Sequence, residues 1–300
     1  MSYNVTNLPA YTSEQSRKFM LKSILGGKTI EFLTNEGSFD PTAMGRQAIQ
    51  LLDTEVVWQD GSACKLAELG SVALSQNYLE VTPIAMKFPL CARTLVKTFA
   101  VEDLKAKQKG ENGFDEGMFI EHIGNDVASK NQKEIEKLIW LGDKTLTSNM
   151  KFIDGYLKQL ATGTFALGTI TGADIVAKLQ NAYLAMPIEV RDQEDFRIFL
   201  GKEIYDQYKA ILAGKNIFQA QDDNTLFGTT AQFQITSGLN GTNKVVYSRA
   251  RNLQAGGDLK TLELEHWYSK DDDEVKVQAR FSLGATAIFK QEIGVLNLGA

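Results

Sequence analysis

The sequence predicts an α+β fold, and three observations predict it. Phe114 to Leu141 carries one unbroken helical pattern of about 28 residues. A helix–strand–helix run lies between residues 171 and 214. Residues 275–283 alternate apolar and polar side chains, the mark of a strand with one wet and one buried face.

The long helix rests on its periodicity. Ile120, Ile123, Val127, Ile135, Leu138 and Ile139 recur at steps of three and four, with the gap in the stripe at polar Asn131. Glu121, Asp126, Lys130, Lys133, Glu134 and Lys137 occupy the other side, and Gly142-Asp143 stops the helix. At helical rise it spans roughly 42 Å. With so little catalytic vocabulary around it, such a helix reads as a strut.

The segments before it read less evenly. Residues 1–12 are polar and read as an extended arm. Thr12 and Gln15 form a capping-box pair for a short helix that ends near Leu25 at Gly26-Gly27. Residues 28–52, with Gly37, Pro41 and Gly45, read as a tether with a poor core. From 55 to 99 a two-stranded excursion is expected. Glu55-Val56-Val57-Trp58 opens it and Asp60-Gly61 turns it. Leu79, Val81, Ile84, Met86, Phe88 and Leu90, then Leu95 and Phe99, line its return. An isolated ribbon is not stable in water, so this one needs a surface to lie on.

After the long helix, 143–170 reads as a link with an amphipathic patch at Ile153, Tyr156, Leu157 and Leu160. Thr171 is expected to cap a helix closed by Pro187. Phe196 to Leu200 reads as a buried strand, and Gly201 and Gly214 bracket a further helix. Strands follow at 233–235 and 244–247. Leu262 to Glu265 pairs with 275–283 around a charged turn at 269–274, and 288–289 with 293–296 are expected to close that sheet.

Composition narrows the function classes. Of 300 residues, 43% are apolar and 23% charged, enough to bury a real core. The net charge of −5 argues against a protein whose main task is gripping nucleic acid. Cys64 and Cys91 have no metal-ligand spacing and read as free thiols of a reducing cytoplasm. No signal peptide and no membrane span are expected. Gly27-Lys28-Thr29 ends like a phosphate loop, but Lys22 stands where that motif needs its first Gly, and a helix precedes it where a strand should. Asp271-Asp272-Asp273-Glu274 lacks the alternate spacing and central Gly of a calcium loop and reads as a solvated turn. His122 and His266, the two histidines, have no second ligand or nucleophile suggested beside them. No catalytic, cofactor or metal residue is nominated.

Several phrases carry a resemblance. Glu136 to Asp143, followed by Phe152 to Tyr156, is similar to the spine-helix end and linker of the major capsid protein of tailed bacteriophages. Ile235 to Gly241 and Asn252 to Leu259 resemble its axial strand and the loop leading back, and Val275 to Gly284 its last long strand. The order of these phrases over about residues 50–298 is what carries the likeness. The resemblance implies an N-terminal arm (1–52), an extended β-hairpin loop (53–100), a peripheral domain with a long spine helix (101–150 and 256–300), and an axial domain (151–255). It also implies a structural protein, not an enzyme. That protein would self-assemble as pentamers and hexamers into an icosahedral shell around double-stranded DNA, without sequence-specific binding. Implied partners are further copies of the chain, portal and scaffolding proteins, and in some shells a decoration protein. A separate scaffold, or none, is expected because the chain has no room for a fused one. The place is the virion, with assembly in the host bacterial cytoplasm. Contacts between copies are expected at Trp58, Leu79, Val81, Met86 and Phe88 in the loop, and at Arg249 and Arg251 around the capsomer axis. An encapsulin-type shell around a protein cargo is the alternative on the same fold. A P-loop nucleotide-binding enzyme is the alternative from another class.

Overall fold

A computed structural model describes residues 21, 23–62, 67, 69–91, 116–215, 217, 224–258, 263–269, 271–272 and 274–299. The expected arm at 1–12 with its Thr12–Gln15 cap, Cys64, Leu95 and Phe99 lie outside the described residues, as do the side chains of Cys91, His122 and His266.

One long strand organises the first half of the molecule. Strand β10 (Glu274–Ala287) pairs antiparallel along ten residues with β4 (Thr82–Cys91), from Glu274 opposite Cys91 to Leu283 opposite Thr82. On its other edge it pairs with β9 (Glu263–Ser269), which is the hairpin the alternation predicts. Its last four residues pair with β8 (Leu253–Gly256), and β8 pairs parallel with β1 (Phe39–Asp40). Val277, Ala279, Phe281 and Leu283 are buried, and Arg280 points to solvent.

The long helix lies against that buried face. It runs Glu116–Leu141, and Ile135, Leu138, Ile139 and Trp140 share one core with Phe281, Leu283 and Ala285. Its stop is a close backbone crossing. The Gly155 N–H donates to the Gly142 carbonyl at 2.8 Å. A Cβ on Gly142 would sit 2.5 Å from the Ile153 and Leu138 carbonyl oxygens, and one on Gly155 2.6 Å from the Gly142 nitrogen. Just beyond, a single helical turn (Tyr156–Gln159) buries Tyr156, whose ring meets Trp140 edge-on at 5.2 Å.

A second sheet has the order β11 (Gly294–Asn297), β7 (Lys244–Arg249), β5 (Phe196–Leu200), β6 (Gln232–Ile235). β5 is buried on both faces, which explains its nearly continuous apolar run. Phe199 and Val246 face the first core. Ile198, Leu200, Val245 and Tyr247 face a second core, closed by the helices Ile175–Ala185 and Lys202–Gly214 through Leu179, Tyr208 and Leu212.

Four readings change. Residues 28–35 are no tether: they form α1 (Lys28–Asn35), with Thr29, Ile30 and Leu33 fully buried. An eight-residue helix shows too few periods to stand out between Gly and Pro. The two-stranded ribbon is not 55–99 but β2 (Arg46–Glu55) on β3 (Ser71–Glu80), and Thr82–Cys91 belongs to the sheet of β10. Residues 294–297 close the second sheet against β7, not the hairpin of β10. The cap of the helix at 175 is Asp174, whose carboxylate accepts from the Ala177 N–H at 2.9 Å; Thr171 lies three residues upstream of it.

The phosphate-loop residues have an internal explanation. The Glu136 carboxylate accepts from the Thr29 N–H at 2.6 Å and from the Thr29 hydroxyl at 2.8 Å. It therefore sits where an anion would sit at the N-terminus of α1. A phosphate there would have to displace it.

Candidate assembly surface

The ribbon is the part of the described chain with least beneath it. β2 and β3 pair along ten residues, from Arg46 opposite Glu80 to Glu55 opposite Ser71. Side chains alternate between faces, and the two faces differ. On one, Gln47 lies opposite Leu79 and Ile49 opposite Asn77. Near the base this face is covered: Leu79 and Val81 are buried with Ala43, and Ile49 packs on them. On the other face Ala48 lies opposite Tyr78, Leu52 opposite Leu74, and Thr54 opposite Val72. Leu52, Val72, Leu74 and Tyr78 are all exposed, Leu74 at 76%. Val56, Val57, Trp58 and Leu69 continue the apolar surface past the strands, and Trp58 is 91% exposed.

The base of the ribbon is fixed by polar contacts. The Val81 N–H donates to the Gly45 carbonyl at 2.7 Å, and the Asn77 side-chain amide donates to the Ala287 carbonyl at 2.9 Å. Lys144, just after the long helix, pairs with Glu80 at 2.7 Å and holds its carboxyl below the usual range. The Arg46 guanidinium lies 3.8 Å over the Tyr78 ring. At the far end the Gln59 amide donates to the Ala67 carbonyl and its oxygen accepts from the Ala67 N–H, as a strand neighbour would. Asp60 accepts from the Ser62 N–H at 2.9 Å and from its hydroxyl at 2.7 Å, and these bonds lower its pKa. The ribbon thus has a shaped base and a shaped tip, with bare apolar surface between them.

The expected contact residues scatter against this geometry. Trp58 is on the bare surface. Leu79 and Val81, expected at contacts between copies, are 2% and 6% exposed inside the chain itself and have no apolar area left to give. Met86 packs against the first core, and Phe88 is half-buried on the same strand. Arg249 is held within the chain: its Nε donates to the Asp195 carboxylate at 2.9 Å. Arg251 is exposed. Leu52, Val72, Leu74 and Tyr78 were not anticipated. Their signal is the pair of β-compatible runs flanking Asp60-Gly61, masked on one side by Pro41 and Gly45.

Little else among the described residues resembles a ligand site. Among the described residues no cluster of three or more His, Cys, Asp or Glu side chains could hold a metal ion, and no helix is long and apolar enough to cross a membrane. A cleft of about 270 Å³ beside Asp174, Lys178, Gln207 and Asn243 is smaller than the roughly 300–1,000 Å³ of ordinary small-molecule sites.

No protein-family model and no curated protein sequence matches the chain. Solved structures do. A chain of the satellite phage P4 procapsid, which includes the size-determination protein, superposes with a TM-score of 0.60 at 12% identity, over 99% of this chain and 92% of that one. The capsid of an empty GTA particle matches at a TM-score of 0.56 and 16% identity, over 88% of each chain. A virus-like particle from Pyrococcus furiosus matches at 0.54 and 14%, over 95% of this chain and 99% of that one. The chain carries the phage capsid fold.

Proposed function

We propose that this protein is a shell subunit, the major capsid protein of a tailed phage, and not an enzyme. The observation that carries the reading is the ribbon: on a fold seen in capsids, it presents bare apolar side chains on the face opposite the one that packs on Ala43 at its base. Fully covering a Leu, Val or aromatic side chain is worth about 1.5–3 kcal/mol. A second copy of the chain is the cover that recurs around a ring. In this reading residues 1–52 form the arm, 53–100 the region of the extended loop, 101–150 with 256–300 the peripheral domain around the long helix, and 151–255 the axial domain. The pairing of β2 with β3 from Arg46 to Glu80 supports an earlier start for the loop's stem in this reading.

Copies join as pentamers and hexamers into an icosahedral shell around double-stranded DNA, held as cargo without sequence readout. Portal and scaffolding proteins, and a decoration protein where present, are its partners, and the assembled virion is its place. Trp58 contributes to contacts between copies, and Arg251 to contacts around the capsomer axis. The R249A/R251A double variant tests the axis: undisturbed capsomers would remove that role. Electron microscopy of the expressed protein tests the whole reading. Closed particles tens of nanometres across are expected, and a protein that stays monomeric at high concentration would overturn it. A second reading on the same fold is an encapsulin-type shell around a protein cargo; the match to the virus-like particle, over 95% of this chain and 99% of that one, supports the shell that both readings share. Nucleic acid inside purified particles supports the phage reading; protein cargo supports the other.

A further inference from the structure

The long helix Glu116–Leu141 meets the segment before α1 through a row of polar contacts inside an otherwise apolar interface. The Asn131 side-chain amide donates to the Ser23 hydroxyl at 2.8 Å, and Ser23 is fully buried. At the next residue, the Gln132 amide donates to the Gly26 carbonyl. One turn on, Glu136 accepts from the N–H and hydroxyl of Thr29, and the Trp140 indole N–H donates back to that hydroxyl at 2.8 Å. The nearby Gly238 N–H also favours the charged form of Glu136. Gln132, Glu136 and Trp140 follow one another at steps of four, with Asn131 next to the first of them, and the partners advance in step from 23 to 26 to 29.

The apolar part of this interface, Ile24, Ile30 and Leu33 with Ile135, Leu138 and Ile139, does not by itself choose a register. Apolar burial is non-directional, and a slip of one turn would still cover most of those side chains. The polar row behaves differently. After a slip, Glu136 would be buried without its donors, and Asn131 and Gln132 without their acceptors. Two glycines narrow the fit further. A Cβ on Gly27 would lie 2.7 Å from the Glu136 carboxylate oxygen. A Cβ on Gly238 would lie 2.4 Å from both the Glu136 carbonyl and the Trp140 ring. Gly27 thus approaches the carboxylate of Glu136 and Gly238 the backbone carbonyl of the same residue, and both approaches exist only when all three elements are in place.

We infer that the row Asn131, Gln132, Glu136 and Trp140 is a register device. It fixes where residues 23–35 lie on the long helix, and so the surface that this segment presents. Buried polar groups that select one register at some cost in stability are well attested in helical interfaces. The consequence for particles rests on the shell reading: a misplaced segment would meet neighbouring copies at the wrong angle and spread the particle sizes.

Two variants and two readouts test this. Under hydrogen exchange, E136A should speed the amides of residues 31–35 about tenfold or more relative to those of 138–141, as expected for losing a charge-assisted bond. E136Q, which keeps the shape and an acceptor, should restore protection to within about twofold. N131A, at the other end of the row, should move the same amides in the same direction by less; it also decides the matter where E136A does not fold. In micrographs, E136A and N131A should broaden a particle size that is single in the wild type. The inference is overturned if both alanine variants leave residues 31–35 as protected as before, or if those amides loosen only together with 138–141. If the wild type forms no particles, the shell reading falls, and the exchange experiment alone still decides the register device.

Discussion

The molecule contains two antiparallel hairpins of similar local build and opposite circumstance. β10, paired with β9, lies on a core, and among its described inward residues Val277, Ala279, Phe281 and Leu283 are covered. β2 and β3 pair over a longer stretch, yet away from the base their apolar residues Leu52, Val72 and Leu74 stay exposed. Ladder hydrogen bonds are alike in the two, so what separates them is burial. Hydrogen bonds of this kind contribute little net, because water competes for the same groups. A two-stranded ribbon without cover is marginal on its own. The uncovered hairpin is therefore the part of the described structure whose order should depend most on other molecules.

The largest effect should come from the covered side. W140A removes a fully buried ring that contacts Tyr156 and Phe199 and leaves the Thr29 hydroxyl without its donor. A loss of about 3–5 kcal/mol is expected in urea unfolding of the dissociated subunit. Next comes a pair on one strand. Leu79 and Leu74 both lie on β3, on opposite faces. L79A should cost about 2–5 kcal/mol. L74A should change the free subunit by less than about 0.5 kcal/mol and still impair assembly, seen as a raised critical concentration by light scattering. Equal effects of the two on the free subunit would erase the contrast between the hairpins.

A smaller effect lies where the covered hairpin ends. Gln159 donates to the Ala285 carbonyl at 2.8 Å and accepts from the Ala287 N–H at 3.0 Å, standing in for a missing strand beside β10. Q159A leaves both backbone groups without that partner. A cost of about 1–3 kcal/mol follows, with faster exchange of the Ala287 amide as the local sign.

These contrasts bear on how much was legible. The alternation from Val277 to Leu283 is one-sided because one face is covered, so period two stands out and the β9–β10 hairpin is readable. The run Ile49-Gln50-Leu51-Leu52 and the run Val72-Ala73-Leu74 put apolar residues on both faces, as surfaces for two different neighbours do. No single period describes them, and the boundary of the ribbon was misplaced. α1 was missed for a different reason: its cue is not periodicity but a partner 107 residues away, Glu136, which a local reading treats as one more charge on a helix. The gap at Asn131 in the apolar stripe was visible. Its meaning needed the position of Ser23.

The finest contrast is between two carboxylates seven residues apart at the end of the long helix. Asp143 accepts from the Thr145 hydroxyl and N–H and pairs with Lys158 at 2.9 Å, and these contacts bring its pKa down to about 2. Glu136 is shifted the other way, up, because burial outweighs the donors from Thr29 and Gly238 and the nearby charge of Lys28. The signs follow by linkage. A lowered carboxyl adds stability that is present above its unfolded value, near 3.8, and is lost as the pH falls toward about 2. A raised one binds its proton more tightly in the folded state, so stability is lost as the pH rises from the unfolded value, near 4.5, through the folded one. D143N should therefore flatten only the acid limb of the stability profile. E136Q should gain on the wild type as the pH rises, and the difference should close below the ordinary value of 4.5. Urea midpoints of the dissociated subunit from pH 3 to 8, at about one-unit steps, read both. If E136Q lost ground with rising pH instead, the donors would outweigh burial, and Glu136 would be a stabilising ion where its surroundings make it a costly one kept for register.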